Sequence, residues 1–161
     1  LCQQRGLAHT SKSPGRTRLI NFFALDGERR LVDLPGYGYA EVSEAQRQRW
    51  RELIGEYLRR RRSLRGIVLM MDVRHPLTEV DKLLLDWNSF HQLPTHILLT
   101  KADKLSRGAA LAGLAELRRA LAVSYPSGVS AQLFSSLQRT GLGEAYAQLS
   151  LWLGLEPLPS E

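Results

Sequence analysis

Ile67-Val68-Leu69-Met70-Met71-Asp72-Val73 is the stretch whose reading decides the fold. Apolar residues follow one another without polar alternation, as in a strand that is covered on both faces. On its C-terminal side, Thr78 to Phe90 reads as a helix and His96 to Thr100 as a second apolar strand. Arg107 to Val123 then reads as a helix rich in Ala and Leu, Val129 to Phe134 as a last strand, and Gly141 to Leu153 as a last helix. Strand and helix thus alternate three times, the pattern of βαβ units around a parallel sheet, and the class is α/β. On the N-terminal side, Leu19 to Leu25 and Arg30 to Leu34 are short apolar runs separated by Asp26-Gly27, the favoured hairpin dipeptide. They predict two antiparallel strands. Pro35-Gly36-Tyr37-Gly38-Tyr39 breaks that pattern, and Ser43 caps a predicted helix running to about Arg62. Trp50, Leu53, Ile54, Tyr57 and Leu58 fall on the inner face of that helix. Residues 6–18 carry Gly, Pro, Ser and Thr without an apolar period and read as an exposed loop.

A chain of 161 residues is the length of one domain. Hydrophobic residues at 43% and charged residues at 24% exclude disordered, collagen-like and coiled-coil classes. The longest apolar run, Ile67 to Met71, is far short of the ~18 residues of a membrane-spanning helix. No basic start leads into an apolar stretch, so no signal peptide is expected, and a first residue other than Met suggests a lost start. The single Cys2 excludes an internal disulfide, which fits a reducing cytoplasm. The net charge of +6 is concentrated. Eight arginines between Arg47 and Arg65, against Glu52 and Glu56, account for all of it. Two readings stay open there: a solvated helix face, or a patch that meets a polyanion such as RNA, since arginine pairs bidentately with phosphate.

In parallel α/β sheets ligands collect at the carboxyl ends of the strands, so the loops after Asp72, Thr100 and Phe134 belong to one rim. Thr100-Lys101-Ala102-Asp103 stands there. A carboxylate at Asp103 accepts the N1 and exocyclic N2 protons of guanine while the Lys101 stem packs along the base. Adenine presents an acceptor at N1 and is repelled, a mismatch worth discrimination on the order of 10⁴. Phe134-Ser135-Ser136 closes the last strand, where backbone N–H groups can donate to the guanine O6. Asp33-Leu34-Pro35-Gly36 ends the second hairpin strand. As a bare tetrapeptide it is an ordinary Pro-Gly turn. Functionally, it sets Asp33 beside a hydrated Mg²⁺ and the Gly36 N–H against a terminal phosphate. Thr17, sixteen residues upstream, offers its hydroxyl to the same ion directly, Asp33 through water.

Together these segments resemble a P-loop GTPase of the translation-factor class. More narrowly, Thr10-Ser11-Lys12-Ser13-Pro14-Gly15-Arg16-Thr17, Leu31-Val32-Asp33-Leu34-Pro35-Gly36-Tyr37-Gly38-Tyr39-Ala40, Met71-Asp72-Val73-Arg74-His75-Pro76-Leu77 and Leu99-Thr100-Lys101-Ala102-Asp103-Lys104-Leu105 resemble the bacterial EngB family, over about Leu7 to Leu153. The resemblance implies a single three-layer G domain over residues 1–161, with a mostly parallel sheet and one antiparallel hairpin strand. Residues 1–5 would end the P-loop helix, 6–18 form switch I, 35–45 switch II and 154–161 a tail. It implies nucleotide contacts at Gly15, Arg16, Thr17, Arg18 and Leu19, at Asp33 to Gly36, at Thr100 to Asp103 and at Phe134 to Ser136. Its cofactors are GTP or GDP with Mg²⁺. Slow GTP hydrolysis and a role in assembling the large ribosomal subunit, tied to growth and division, are expected. The protein would be a cytoplasmic monomer that contacts rRNA through Arg47–Arg65 and no membrane.

The P-loop pattern GxxxxGK[ST] and the strand that leads into it are not found in these 161 residues. Gly6-Leu7-Ala8-His9-Thr10-Ser11-Lys12-Ser13 comes near it, but Ser11 replaces the second Gly and Pro14 blocks the helix that should follow. Tyr37 stands where many GTPases place a water-orienting Gln, so low turnover is expected, with Tyr37 and Gly38 as switch II candidates. Asp72-Val73-Arg74-His75-Pro76 reads either as a segment that contacts a partner or braces the switch, or as a charged turn that caps the next helix. His91 and His96 read as surface or strand-edge residues; Tyr37, Tyr39 and Trp50 offer rings that can stack on RNA bases, with core packing the favoured reading of Trp50. The competing hypothesis is a non-enzymatic basic module that binds rRNA and keeps a vestigial nucleotide site.

Overall fold

The computed structural model describes residues 20–36 and 43–156, which form two compact units, 20–63 and 64–156.

In the second unit, β3 (Ile67–Asp72), β4 (Thr95–Thr100) and β5 (Val129–Leu133) pair in parallel in that order. Asp72 lies opposite Thr100, and Leu99 opposite Leu133, so the strand ends are level. Helix α2 (Glu79–Phe90) joins β3 to β4, α3 (Arg107–Ser124) joins β4 to β5, and α4 (Leu142–Leu153) follows β5. Each start has a chemical reason. Thr78 and Asp81 form a reciprocal capping box at α2, and the Ser106 hydroxyl accepts from the Ala109 N–H at α3. Five successive residues of β4, Thr95 to Leu99, are buried, as the middle strand of a covered sheet requires. Leu98, Phe134 and Ala145 form a buried cluster with Val68 and Leu142 against it. Gly66 meets the Trp152 ring so closely that an added Cβ would lie 2.6 Å from it.

The first unit is a hairpin and a helix. Strands β1 (Asn21–Ala24) and β2 (Arg30–Asp33) are antiparallel, with Ala24 opposite Arg30. The connection is therefore the five residues 25–29, one more than the four between the two apolar runs. Its cause is Asp26, whose carboxylate accepts from the backbone N–H groups of Glu28 and Arg29 and from the Arg29 guanidinium. Those two backbone donors hold the Asp26 carboxyl below its ordinary range. Helix α1 (Glu44–Arg60) buries Ile54 and Leu58 as expected, but Leu53 is exposed. In the strand read as covered on both faces, Met70 is 61% exposed while Leu69 and Met71 on the opposite face are buried.

Candidate nucleotide site

The carboxyl ends of β3, β4 and β5 bring the TKxD and Phe-Ser-Ser segments together. Phe134 N–H donates to the Leu99 carbonyl, and the Phe134 carbonyl accepts from Ala102 N–H at 3.2 Å. The Phe134 ring is core, so this residue serves the rim through its backbone. Thr100 donates its hydroxyl to the Met71 carbonyl, which fixes the end of β4 to β3. Lys101 then adopts a left-handed conformation, φ 60°, and turns the chain into the short 3-10 turn Ala102–Lys104. Ala102 is buried beneath that turn and Asp103 stands on it.

Asp103 is already oriented. The buried Ser135 hydroxyl donates to its Oδ1 at 2.6 Å, while Lys104 Nζ lies 3.8 Å from Oδ2. The hydrogen bond from Ser135 is the main reason that the Asp103 carboxyl is held below its ordinary range. It stays ionised and keeps acceptor capacity at Oδ2 for two donors side by side, as guanine N1 and N2 present them. The loop above is tied in turn: Ser135 N–H donates to the Thr140 carbonyl, and Gln138 N–H donates to Ser135 Oγ. Ser136 is exposed between these ties, and its N–H meets no acceptor among the described residues. It is available to a carbonyl such as guanine O6.

Asp72 is a part of this rim to which sequence reasoning assigned other work. It caps no helix, that role belonging to Thr78. Its carboxylate accepts from the Arg74 backbone and guanidinium and, at 3.0 Å, from Lys101 Nζ. The Arg74 guanidinium, with Lys101, holds the Asp72 carboxyl well below the usual carboxylate range. An acid-stable anion thereby aims the Lys101 stem along the rim. No local sequence signal marks this pair, which follows from the level register of Asp72 and Thr100 on adjacent strands.

A profile of the family described as 50S ribosome-binding GTPase matches residues 1–101. The curated "Probable GTP-binding protein EngB" of Coxiella burnetii strain CbuK_Q154 is 54% identical over 153 residues, covering 95% of this chain and 74% of that protein. Its counterpart in strain CbuG_Q212 is 53% identical over the same length. The chain belongs to the EngB family of P-loop GTPases. The parallel sheet flanked by helices and the antiparallel hairpin agree with that fold.

Of the other site residues expected for an EngB chain, Asp33 ends β2 exposed, Leu34 is half-buried, Pro35 buried and Gly36 exposed. The Pro35 carbonyl accepts from Trp50 Nε1 at 2.6 Å, so the DxPG turn is moored to α1. Trp50 is half-buried, with its polar edge employed. Gly15 to Leu19, Tyr37 and Gly38 lie outside the described residues, as do the segment 1–5, the 6–18 loop and the last five residues of the tail. His96 corrects one expectation. It is buried in the middle strand, with Nδ1 2.7 Å from Ser130 Oγ and Nε2 2.8 Å from Gln132 Oε1. His91 is exposed and packs on Trp87, ring centroids 4.0 Å apart.

Proposed function

We propose that the protein is a Mg²⁺-dependent GTP-binding switch that hydrolyses GTP slowly and acts in the cytoplasm on assembly of the bacterial large ribosomal subunit, on which growth and division depend. The observation that carries the nucleotide reading is the Ser135–Asp103 bond, which presents an ionised carboxylate at the carboxyl rim of a parallel sheet. Slow turnover follows from Tyr37 standing next to the DxPG turn. An aromatic ring there lacks the amide with which a Gln orients the attacking water, so a partner must supply that function.

Mg²⁺ suits the donors present. No group of three acidic, His or Cys side chains able to hold a metal exists among the described residues. Asp33 is an exposed carboxylate at a strand end, the arrangement for an ion that keeps its waters and binds substrate phosphates. Asp33 would hold it through water and Thr17 directly, and an ion held there would supply positive charge to the phosphates. The ribosomal reading rests on the name of the matched family and on the exposed arginines 59 to 62 of the first unit. Arg60 pairs with Glu56 at 2.9 Å, and Arg61 lies over the Phe22 and Tyr57 rings. Cations interleaved with aromatic rings are suited to rRNA phosphates and bases.

The test is a titration of fluorescent GDP against the native protein with Mg²⁺, followed by co-sedimentation with large ribosomal subunits. Displacement by GTP but not ATP, and subunit binding that weakens with salt and differs between GTP and GDP, are expected. Subunit binding that ignores the nucleotide would favour the non-enzymatic basic module.

A further inference from the structure

The Gln132 side chain is fully buried on β5, and both ends of its amide are employed. Its Nε2 donates to the Gly141 carbonyl at 2.6 Å and to the Leu133 carbonyl at 3.2 Å. Its Oε1 lies 2.8 Å from His96 Nε2. Two carbonyls facing one end require the NH₂ there, so Oε1 must accept from the imidazole, which leaves Nδ1 to accept from the Ser130 hydroxyl at 2.7 Å. The network is therefore directional, from Ser130 through His96 and Gln132 to Gly141.

Gly141 is the far end of the loop that carries Ser135 and Ser136. It adopts φ +73° and begins α4, its carbonyl also accepting from Ala145 N–H. An added Cβ would collide with the Leu133 carbonyl and the Gln132 amide, so the backbone reaches Gln132 only because the residue is glycine. The loop is held at its near end by Phe134 N–H on Leu99 and at its far end by the Gln132 amide.

We infer that Gln132, oriented by His96, is a positioning residue for base selection: it clamps Gly141 so that the N–H of exposed Ser136, which has no acceptor among the described residues, stays where a purine 6-carbonyl can accept from it. This rests on the guanine reading above. The clamp acts on the 6-position of the base, whereas Asp103 acts on N1 and N2, and the two are separable by ligand. In 6-thio-GDP the carbonyl oxygen is replaced by sulfur, a weak acceptor, while N1 and N2 are unchanged.

The test measures affinities of the native protein for GDP and 6-thio-GDP in wild type, Gln132→Leu and the double variant H96L/Q132L. The double variant replaces both buried partners by apolar groups and preserves folding where the single variant leaves His96 unpaired. Wild type is expected to prefer GDP over 6-thio-GDP. In a folded variant GDP affinity falls about tenfold, 6-thio-GDP affinity falls much less, and their ratio moves toward one. A general loss of stability would lower both affinities and leave the ratio in place. Wild-type binding of GDP with a ratio unchanged in the folded variants, or a wild-type ratio already near one, overturns the clamp alone. Failure of wild type to bind GDP overturns the guanine reading and the clamp with it.

Discussion

Two aspartates stand at strand ends, Asp33 as the last residue of β2 and Asp103 on the turn that follows β4, and they are treated differently. Asp103 receives the Ser135 hydroxyl at 2.6 Å and stands on a turn fixed through Phe134 and Ala102. Asp33, at the end of β2, is exposed, and its carboxylate makes no hydrogen bond among the described residues. The contrast suits the two chemistries proposed for these residues. Choosing one base over another requires acceptors fixed in direction before the ligand arrives, because discrimination comes from leaving the wrong donor or acceptor unpaired. A carboxylate that works through the water shell of a cation needs only charge and room.

The largest expected effect tests the oriented carboxylate. Asp103→Ala lowers GDP affinity by about 10³-fold in equilibrium binding, because the N1 and N2 donors lose their acceptor. Asp33→Asn, its counterpart, weakens Mg²⁺-dependent GTP binding by about tenfold. It leaves the preference for GTP over ATP unchanged. A loss of base preference in Asp33→Asn would break the comparison.

Ser135→Ala separates the presence of the carboxylate from its orientation. GDP affinity falls about tenfold, as expected for one charge-assisted hydrogen bond, while Mg²⁺ dependence stays as in wild type. Titration across pH sharpens the same point. The folded-state pKa of Asp103 lies below its unfolded value, so the carboxylate and the stability linked to it are present above about pH 4 and lost only as pH falls further. The guanine preference is therefore constant from pH 8 to pH 5.

Asp72→Asn gives a smaller effect, because Arg74 and Lys101 are both half-exposed. A loss of about 1 kcal/mol at pH 7 is expected in denaturant unfolding. The Asp72 carboxyl is depressed by the Arg74 hydrogen bonds, so that difference holds above about pH 4 and shrinks as pH falls below it. The smallest effect lies far from the rim. Tyr125 donates to Asp86 at 2.6 Å, and its phenol is pushed up to about 12 by burial, then by Asp86. Tyr125→Phe costs about 1 kcal/mol below pH 10, a difference that disappears as pH rises through about 12, and nucleotide affinity is unchanged.

How much of this was legible in the sequence varies with the range of the interactions. The apolar run at Ile67 and the order of strands and helices are local signals, and the elements form where those signals lie. The TKxD segment likewise lies at the end of an apolar strand, and Asp103 stands on the rim turn that follows it. The hairpin forms around Asp26-Gly27 as read, and its loop is one residue longer than the gap between the apolar runs, with the Asp26 carboxylate accepting from two backbone donors within it. Leu53 was placed inward by periodicity alone, which fixes a helix face but not its width. His96, Gln132 and the Asp72–Lys101 pair were out of reach for a different reason. Each depends on which residue of one strand faces which residue of the next, and register is written in no single segment.

The most direct measurement is competition between GDP and XDP for wild type and Asp103→Asn. Xanthine carries a carbonyl where guanine carries the N2 amino group, so the amide that replaces the carboxylate offers a donor where an acceptor stood. The account predicts that wild type prefers GDP and that Asp103→Asn prefers XDP. A wild-type protein indifferent to the two bases, or an Asp103→Asn variant that loses GDP without gaining XDP, would contradict it.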